Sequence, residues 1–543
     1  MSNEPSPKAG MLRVLAFALG ISSLGVTLIA FHYQDTDLWA KLAIGAHVWK
    51  FGTVPVSDFF AFTPVLPRYI EHEWGAGTIF FTVLKLFGPQ GLMALKVILA
   101  FGAMFVAMAV GRRMGAGWNS LLLLAIPVAA CLLLGYVPVV RSHAFTYCFF
   151  ALALLLLEEL RLGKVWPAFV LPVLMLVWSN IHGGFVAGLG TIAVYTAFAV
   201  FGVRLSGGST GVPSVPPEGV TPNRVSASRL KTMVAVAIAC GLVTLINIYG
   251  IEYWRYLVPA LLHKRPQITE WQPLPLLGND SFHALRILTA IVAIVLLVAW
   301  RRTEKRSWSG LVMLVLTALL AWRSRRHAPF FAVATMAFAG PFLETALRGF
   351  AASLPQKVQV RLRPSIGLVL LHGLVAIYVA FHFLPRASFT VLAPVGEVPV
   401  RETDILSRAQ IEGNVATPFG WGGYCAWRLY PRIKVSLDSR YETTYPDSTF
   451  EMNSDFYAKS GTNWDRLVRE YPVDFVILDI LRGRLRPEDL RDHGYTLIWV
   501  TSTNSVLMSL EKHAAKLRQV AADLPPTTID PVDAAIPDKW WLK

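Results

Sequence analysis

The chain has 543 residues, of which 54% are hydrophobic and only 16% charged, with a mean hydropathy of +0.49. A soluble domain keeps roughly a quarter of its residues charged, so this composition excludes a string of soluble domains and points to a protein that crosses a membrane many times. The formal charge of +15 would suggest nucleic acid in a soluble protein, but no soluble segment carries a basic patch interleaved with aromatics, so the excess is assigned to cytoplasmic loops.

A spanning helix needs about 20 apolar residues. Lys8 and Arg13 precede the first apolar run, which ends near Ala30. His32-Tyr33-Gln34-Asp35 follows where a signal sequence would have a small-residue cleavage site. The sequence therefore predicts a cytoplasmic N-terminus at 1–13 and an uncleaved span at 14–31. The stretch from His72 to Phe87 is short and interrupted by Lys85, and is expected as an amphipathic helix in the outer interface. Further spans are expected near 91–111, 119–138, 143–160, 165–181, 184–203, 232–250, 284–300, 308–322, 329–347 and 366–384, about eleven with the first. A loop at 205–230, with Gly207-Gly208-Ser209 and Pro213, Pro216, Pro217 and Pro222, is expected to be flexible.

With the first span running outward, the basic groups fall on one side. They are Arg112 and Arg113; Arg161 and Lys164; Arg204, Arg224, Arg229 and Lys231; Arg301, Arg302, Lys305 and Arg306; and Arg348, Lys357, Arg361 and Arg363. That is the positive-inside pattern, and it places the tail outside the cytoplasm. The expected organisation is a membrane domain at 14–386 with an outward loop at 32–90, then an extracytoplasmic domain at 387–523 and a poorly ordered end at 524–543. Short strands are predicted at 414–417, 434–437, 474–478, 495–500 and 505–508, separated by helical stretches, hence a small α/β domain. The expected fold class is a polytopic α-helical membrane protein with a C-terminal soluble α/β domain.

Several chemistries are excluded. Cys131, Cys148, Cys240 and Cys425 make neither a disulfide framework nor a thiolate metal site. The histidines have no zinc spacing. Gly420-Trp421-Gly422-Gly423 lacks the spacing of a nucleotide loop. Asp438 and Arg440 read as an internal ion pair beside a packed Tyr441.

The candidate site lies on the outward side. The run before Arg323-Ser324-Arg325-Arg326-His327 covers about 22 Å at 1.5 Å per residue, short of a hydrocarbon core of about 30 Å, so at least one of these arginines sits at membrane depth. An ionisable group there faces a cavity or a partner. Arg325, Arg326 and His327 either anchor the chain at the lipid headgroups or form a site for a lipid-linked phosphate, whose oxygens a guanidinium grips two at a time. Arg141 and Lys264-Arg265 are weaker exceptions of the same kind. Asp35 and Asp37, just past the first span, can supply a general base or share a divalent cation such as magnesium or manganese. The same loop carries Asp58, Glu71, His72 and Glu73. Asn180 and His182, in the turn Asn180-Ile181-His182-Gly183-Gly184, can hydrogen-bond a sugar or a phosphate. A base beside an anion site is the layout for moving a group off a phosphate.

These features together resemble the bacterial GT-C membrane glycosyltransferases. The resemblance is carried by Asp35-x-Asp37 at the end of the first span, the long outward loop, the helix ending Leu84-Lys85-Leu86-Phe87-Gly88, Arg112-Arg113 and Arg141. The chain also looks like a bacterial branch of that group in which Asp35-x-Asp37-x-Trp39, His72-Glu73-Trp74, Asn180-x-His182-Gly183-Gly184 and Arg326-His327-x-Pro329-Phe330-Phe331 occur in this order. The resemblance implies a bacterial inner-membrane enzyme of the cell envelope that takes a hexose or pentose from a polyprenyl-phosphate donor. It implies transfer with inversion to an extracytoplasmic glycan, lipid or protein, with Asp35 or Asp37 as base or metal ligand. Two alternatives stay open: a transporter or flippase of lipid-linked saccharides, and a non-catalytic envelope assembly protein. A transporter would show paired broken helices in matching halves, and the sequence has one such break, at His182-Gly183-Gly184. An assembly protein leaves the Asp-x-Asp unexplained.

Overall fold

A computed structural model describes residues 7–33, 35–137, 140–206, 227–262, 269–278, 281–303, 307–355, 364–394, 397–501, 505–524 and 529–531. Lys264-Arg265, most of the loop at 205–230, Arg224, Lys305, Arg306, Lys357, Arg361, Arg363 and the end from 532 lie outside the described residues.

The helices, in chain order, are α1 (Pro7–Ala30), α2 (Thr36–Phe51), α3 (Trp74–Arg113), α4 (Trp118–Leu133), α5 (His143–Arg161), α6 (Pro167–Ile181) and α7 (Phe185–Ser206). They continue with α8 (Ala227–Val243), α9 (Ile251–Leu262), α10 (His283–Ala299), α11 (Trp308–Arg323), α12 (Ala328–Phe338), α13 (Gly340–Ser353) and α14 (Pro364–His382). Every expected span contains a helix. Among the described residues, four helices, α1, α3, α5 and α14, are long and apolar enough to cross a membrane, and a bent segment from Arg325 to Ser353 makes a fifth if taken as one span. The span expected at 329–347 breaks by 55° between α12 and α13, where Pro341 follows Gly340. Its ring removes an N–H and clashes with the carbonyl four residues back.

The described chain forms two compact units. The first holds residues 1–31, 95–137 and 143–388. In it α1 packs along α14, and α12 lies against α4 and α11. Lipid offers no hydrophobic drive between helices, so close backbone approach and satisfied polar groups hold such a bundle. A methyl group at Gly111 would come within 2.6 Å of the Met336 carbonyl. Lys96, 1% exposed, donates to the carbonyls of Leu28 and Phe31 at 2.8 Å each, closing the end of α1 as a cation does at a helix C-terminus. The buried Glu158 and Glu159 collect Arg161, Lys164 and Arg113. Three of the basic groups behind the topology expectation are thus ion-paired as well.

The second unit holds residues 32–94, 138–142 and 389–543. Its sheet has the strands β1 (Gly413–Ala416), β2 (Ile433–Val435), β3 (Phe475–Asp479), β4 (Tyr495–Val500) and β5 (Ser505–Leu510). The order is β2-β1-β3-β5-β4, with β1 parallel to β2 and β3 and with both pairings of β5 antiparallel. The near-continuous burial of β3 and β5 is that of central strands covered on both faces. The helix Phe419–Leu429 contains the Gly-rich stretch. Gly422 meets the Leu437 backbone, and Gly423 comes near the backbone of Thr36 and Ala40. These glycines therefore admit α2 and the strand end to close packing.

The expected pair of Asp438 and Arg440 forms and gains a third member, Asp58, at 2.5 Å from the guanidinium. The Phe60 and Tyr69 rings flank the same cation at 5.0 and 5.3 Å. The network ties the outward loop to the tail. Removing one member would strand a buried charge, at a cost of about 3–5 kcal/mol.

Candidate functional site

The acids sit where the chain leaves α1 and enters α2. Asp35 is the N-cap of α2, and its Oδ1 accepts the Asp37 backbone N–H at 3.0 Å. Its other oxygen meets the Arg141 guanidinium, and Asp35 is 3% exposed. Asp35 is thereby committed to capping and to an ion pair. Asp37 differs. Its Oδ2 is 3.9 Å from Arg141 Nη2 and its side chain is 45% open to solvent. Burial among protein atoms and the Asp35 carboxylate push the Asp37 acid up to about 7, with Arg141 and Lys41 pulling the other way. Water screens part of that push, and the direction, toward neutral pH, is what a general base needs.

Lys41 lies four residues beyond Asp37, on the same side of α2. It is buried and bridges Glu71 and Glu73, each at 2.8 Å. Burial works against the ammonium, but the two carboxylates outweigh it and hold its pKa well above the ordinary value. Burial likewise works against the Glu71 carboxylate, and Lys41 overcomes it and lowers its pKa. Tyr69 donates to Glu71, and Ser142 donates to Glu73 at 2.7 Å. His72 Nε2 is 3.8 Å from Glu73. The structure thus brings Glu71 and Glu73 onto Lys41, and Glu73 holds the residue after Arg141. Sequence reasoning missed Lys41. Its signal was the four-residue spacing from Asp37 on one helix face. The clamp exists because Gly45 and Gly77 let α2 and α3 touch: a methyl at Gly45 would overlap the Gly77 carbonyl, and one at Gly77 would come within 2.6 Å of the Lys41 carbonyl.

The remaining expected site residues belong to the first unit. Arg326 donates to His143 and stacks on Trp271 with 4.1 Å to the ring centroid. The His143 and His182 rings stand 4.5 Å apart. His182 Nδ1 accepts the Gly184 N–H at 2.8 Å and lies 2.9 Å from the Thr146 hydroxyl, which itself accepts from Trp178 Nε1 at 2.9 Å. With Nδ1 an acceptor, the neutral ring carries its proton on Nε2. A methyl at Gly184 would press on Thr146 and on this nitrogen, so that glycine serves close packing as well as the turn. Arg325 donates to the Pro273 carbonyl at 3.3 Å and lies over Phe282 at 5.3 Å. His327 Nδ1 is 3.3 Å from the Ser324 carbonyl. The amide of Asn180 donates to the Leu176 and Ile246 carbonyls at 2.9 and 3.0 Å. His143 and Trp271 escaped sequence reasoning. His143 follows Arg141 by two residues, the signal that was available.

A divalent cation shared by Asp35 and Asp37 does not fit these residues. Both Asp35 oxygens are engaged, one of them by the Arg141 guanidinium, which stands where the shared cation would. Among the described residues no three His, Cys, Asp or Glu side chains converge to hold a metal.

Neither a protein-family model nor a curated protein matches the chain. Among solved structures it is similar to the apo form of the Archaeoglobus fulgidus oligosaccharyltransferase, with a TM-score of 0.56 and 13% identity over 88% of this chain and 70% of that one. The chain shares the fold of that oligosaccharyltransferase. ArnT from Cupriavidus metallidurans bound to undecaprenyl phosphate gives a TM-score of 0.49 with 12% identity, over 91% of this chain and 97% of that one. The apo form of the same ArnT gives 0.44 with 13% identity, over 96% and 100%. The likeness concerns the architecture alone. The substrate and the roles of residues rest on the side chains described above.

Proposed function

We propose that the protein is an inverting membrane glycosyltransferase that moves a hexose or pentose from a polyprenyl-phosphate donor to an extracytoplasmic acceptor. The observation that carries this reading is the division of labour between the two acids. Asp35 is tied to Arg141 and to the helix cap, while Asp37 is open to solvent with its pKa raised toward neutrality. Asp37 takes the proton of the acceptor hydroxyl as its oxygen attacks the anomeric carbon, and the bond from that carbon to the phosphate oxygen breaks on the opposite face. The leaving phosphate takes the electron pair. Within the first unit, Arg326, oriented by Trp271 and His143, with Arg325 beside it in the chain, is proposed separately as a contact for a lipid-linked phosphate. Charge-assisted contacts of this kind contribute about 1.5–3 kcal/mol each. The direct test is sugar transfer in proteoliposomes from a synthetic polyprenyl-phosphate sugar. Donor binding without any product would leave the transporter reading in place.

Arg326→Lys keeps the charge but loses the flat fork and much of the stacking on Trp271. Its affinity for polyprenyl phosphate in nanodiscs is expected to fall by about tenfold, the equivalent of one contact. Arg302→Lys serves as control. Equal affinity in both variants would return Arg326 to the role of an interfacial anchor.

The proposed orientation has the N-terminus in the cytoplasm and residues 387–523 outside, with the protein in a bacterial inner membrane. A reporter active only outside the cytoplasm is expected to give signal when fused after Arg386 and none after Arg306. The reverse pattern would place Asp37 on the cytoplasmic side and remove the extracytoplasmic acceptor from the proposal.

A further inference from the structure

In the second unit the parallel part of the sheet ends at a cluster of aromatic side chains that the acid site does not use. β1 leads to Phe419, the first residue of the helix Phe419–Leu429, and β2 leads to Ser439 and Tyr441. The two strands are parallel, so both segments leave the sheet at the same end. Open α/β sheets bind ligands outside the carboxyl ends of their parallel strands. The Phe419 and Tyr441 ring centroids stand 5.9 Å apart, and Phe450 lies 5.5 Å from the first and 4.7 Å from the second, all three edge to face. Phe419 is 37% exposed, and the other two are half-buried. Tyr441, expected from sequence to be packed, keeps part of its surface open and holds φ 40°. A residue with a side chain enters that left-handed region only where its surroundings impose it, and such positions gather at ligand clamps.

The cluster adjoins the turn that carries the base. Ser439 Oγ is 3.5 Å from the carbonyl of Thr36, the residue before Asp37. A methyl at Gly420, the neighbour of Phe419, would lie 3.8 Å from Thr36 Cγ2. An acceptor whose hydroxyl reaches Asp37 therefore has the rest of its body near these rings. A peptide acceptor would add as a strand to a free sheet edge, but the outer edge of β2 is already taken. Val435 donates to the Phe60 carbonyl at 2.9 Å and accepts from the Phe62 N–H at 3.1 Å. Rings beside a hydroxyl suit a sugar instead. A pyranose has a flat side of C–H groups that rests on the electron-rich face of an aromatic ring, while its hydroxyls stay at the rim for a group such as Ser439.

We infer that Phe419, Tyr441 and Phe450, with the Ser439 hydroxyl, form the acceptor subsite, and that the acceptor is a glycan held by stacking of a sugar ring on this cluster. The inference rests on the transferase reading with Asp37 as base, and it narrows the acceptor from a glycan, lipid or protein to the first of these.

The test reads saccharide binding and sugar transfer separately, on the full chain in nanodiscs. The probes are three neutral tetrasaccharides, maltotetraose, cellotetraose and mannotetraose, followed by saturation-transfer NMR. At least one is expected to bind, with saturation strongest on ring C–H protons. Phe419→Leu and Tyr441→Gly should each weaken that binding by about tenfold, the size of one aromatic contact, and Tyr441→Phe should bind like the parent. Glycine accepts φ 40° without strain, so the thermal midpoint of Tyr441→Gly should hold while its affinity falls, which separates loss of the ring from loss of the fold. In transfer assays Phe419→Leu and Tyr441→Gly should raise the acceptor KM by a similar factor and leave the donor KM unchanged. Saccharide binding that depends on the rings, with no transfer from any polyprenyl-phosphate sugar, would keep the subsite as a glycan site and remove the transferase reading. Transfer with parental acceptor KM in both variants would keep the transferase and overturn the subsite. Failure of all three probes to bind, or transfer to a serine- and threonine-containing peptide or a dialkylglycerol in place of the saccharides, would also overturn it.

Discussion

Asp37→Asn is expected to lower sugar transfer by about 10²- to 10⁴-fold, the range associated with loss of a general base, while the protein stays folded. Asparagine keeps the shape and one acceptor oxygen but cannot take up the proton of the attacking hydroxyl. Asp35→Asn is expected to behave differently. Asparagine caps a helix about as well as aspartate, so α2 persists, but the ion pair with Arg141 is lost. The charge beside Asp37 then changes in two ways, since the Asp35 carboxylate that raised its pKa is gone and Arg141 becomes available to lower it. For the parent, kcat/KM should rise as pH passes through about 7, where Asp37 loses its proton. In Asp35→Asn that rise should move to lower pH. Transfer by Asp37→Asn at the parental rate would end the assignment of Asp37 as base. An unmoved acid limb in Asp35→Asn would mean that another group sets the profile.

The second large effect is expected at Lys41. Lys41→Met removes one of the two cations that lower the Asp37 pKa, so the acid limb should move upward, opposite to its movement in Asp35→Asn. It also leaves Glu71 and Glu73 buried without their shared partner. Breaking a buried pair in this way costs about 3–5 kcal/mol, which thermal unfolding in detergent would register as a lowered midpoint. The pH dependence of that loss has a definite sign. Lys41 holds the Glu71 pKa below the ordinary value for a glutamate, so the stability it contributes is present above that ordinary value and fades as pH falls through the lowered one. Lys41→Arg should restore much of the stability and return the acid limb toward its parental position. A pH profile for Lys41→Met that matches the parent would reduce Lys41 to a packing role.

What the sequence determined by itself was set by chemistry local to the chain. Apolar runs of helical length must become helices when lipid is the solvent, because no other open structure satisfies the backbone there. The helices accordingly appear at every expected position. The strands of the tail were legible for a similar reason: Asp474-Phe475-Val476-Ile477-Leu478 is a short buried run bounded by turn residues, and β3 occupies nearly the same residues. Asp35 and Asp37 stood out because two acids at the end of a span need an explanation.

Tertiary structure decided how those acids differ. The sequence treats Asp35 and Asp37 as equals, and their separation into an ion-paired cap and a solvent-open base comes from Arg141, which lies more than a hundred positions further along the chain. Glu71 and Glu73 were legible as unusual acids, but their partner was not. Lys41 reaches them only because Gly45 and Gly77 let two helices meet backbone to backbone, and a crossing of that kind leaves no periodic trace in either segment. The packing of residues 32–94 with 389–543 in one unit also depends on contacts far apart in sequence, foremost the cation of Arg440 held between Asp58 and Asp438. A lone buried arginine and two distant acids carry no pattern along the chain, and folding alone brings them together.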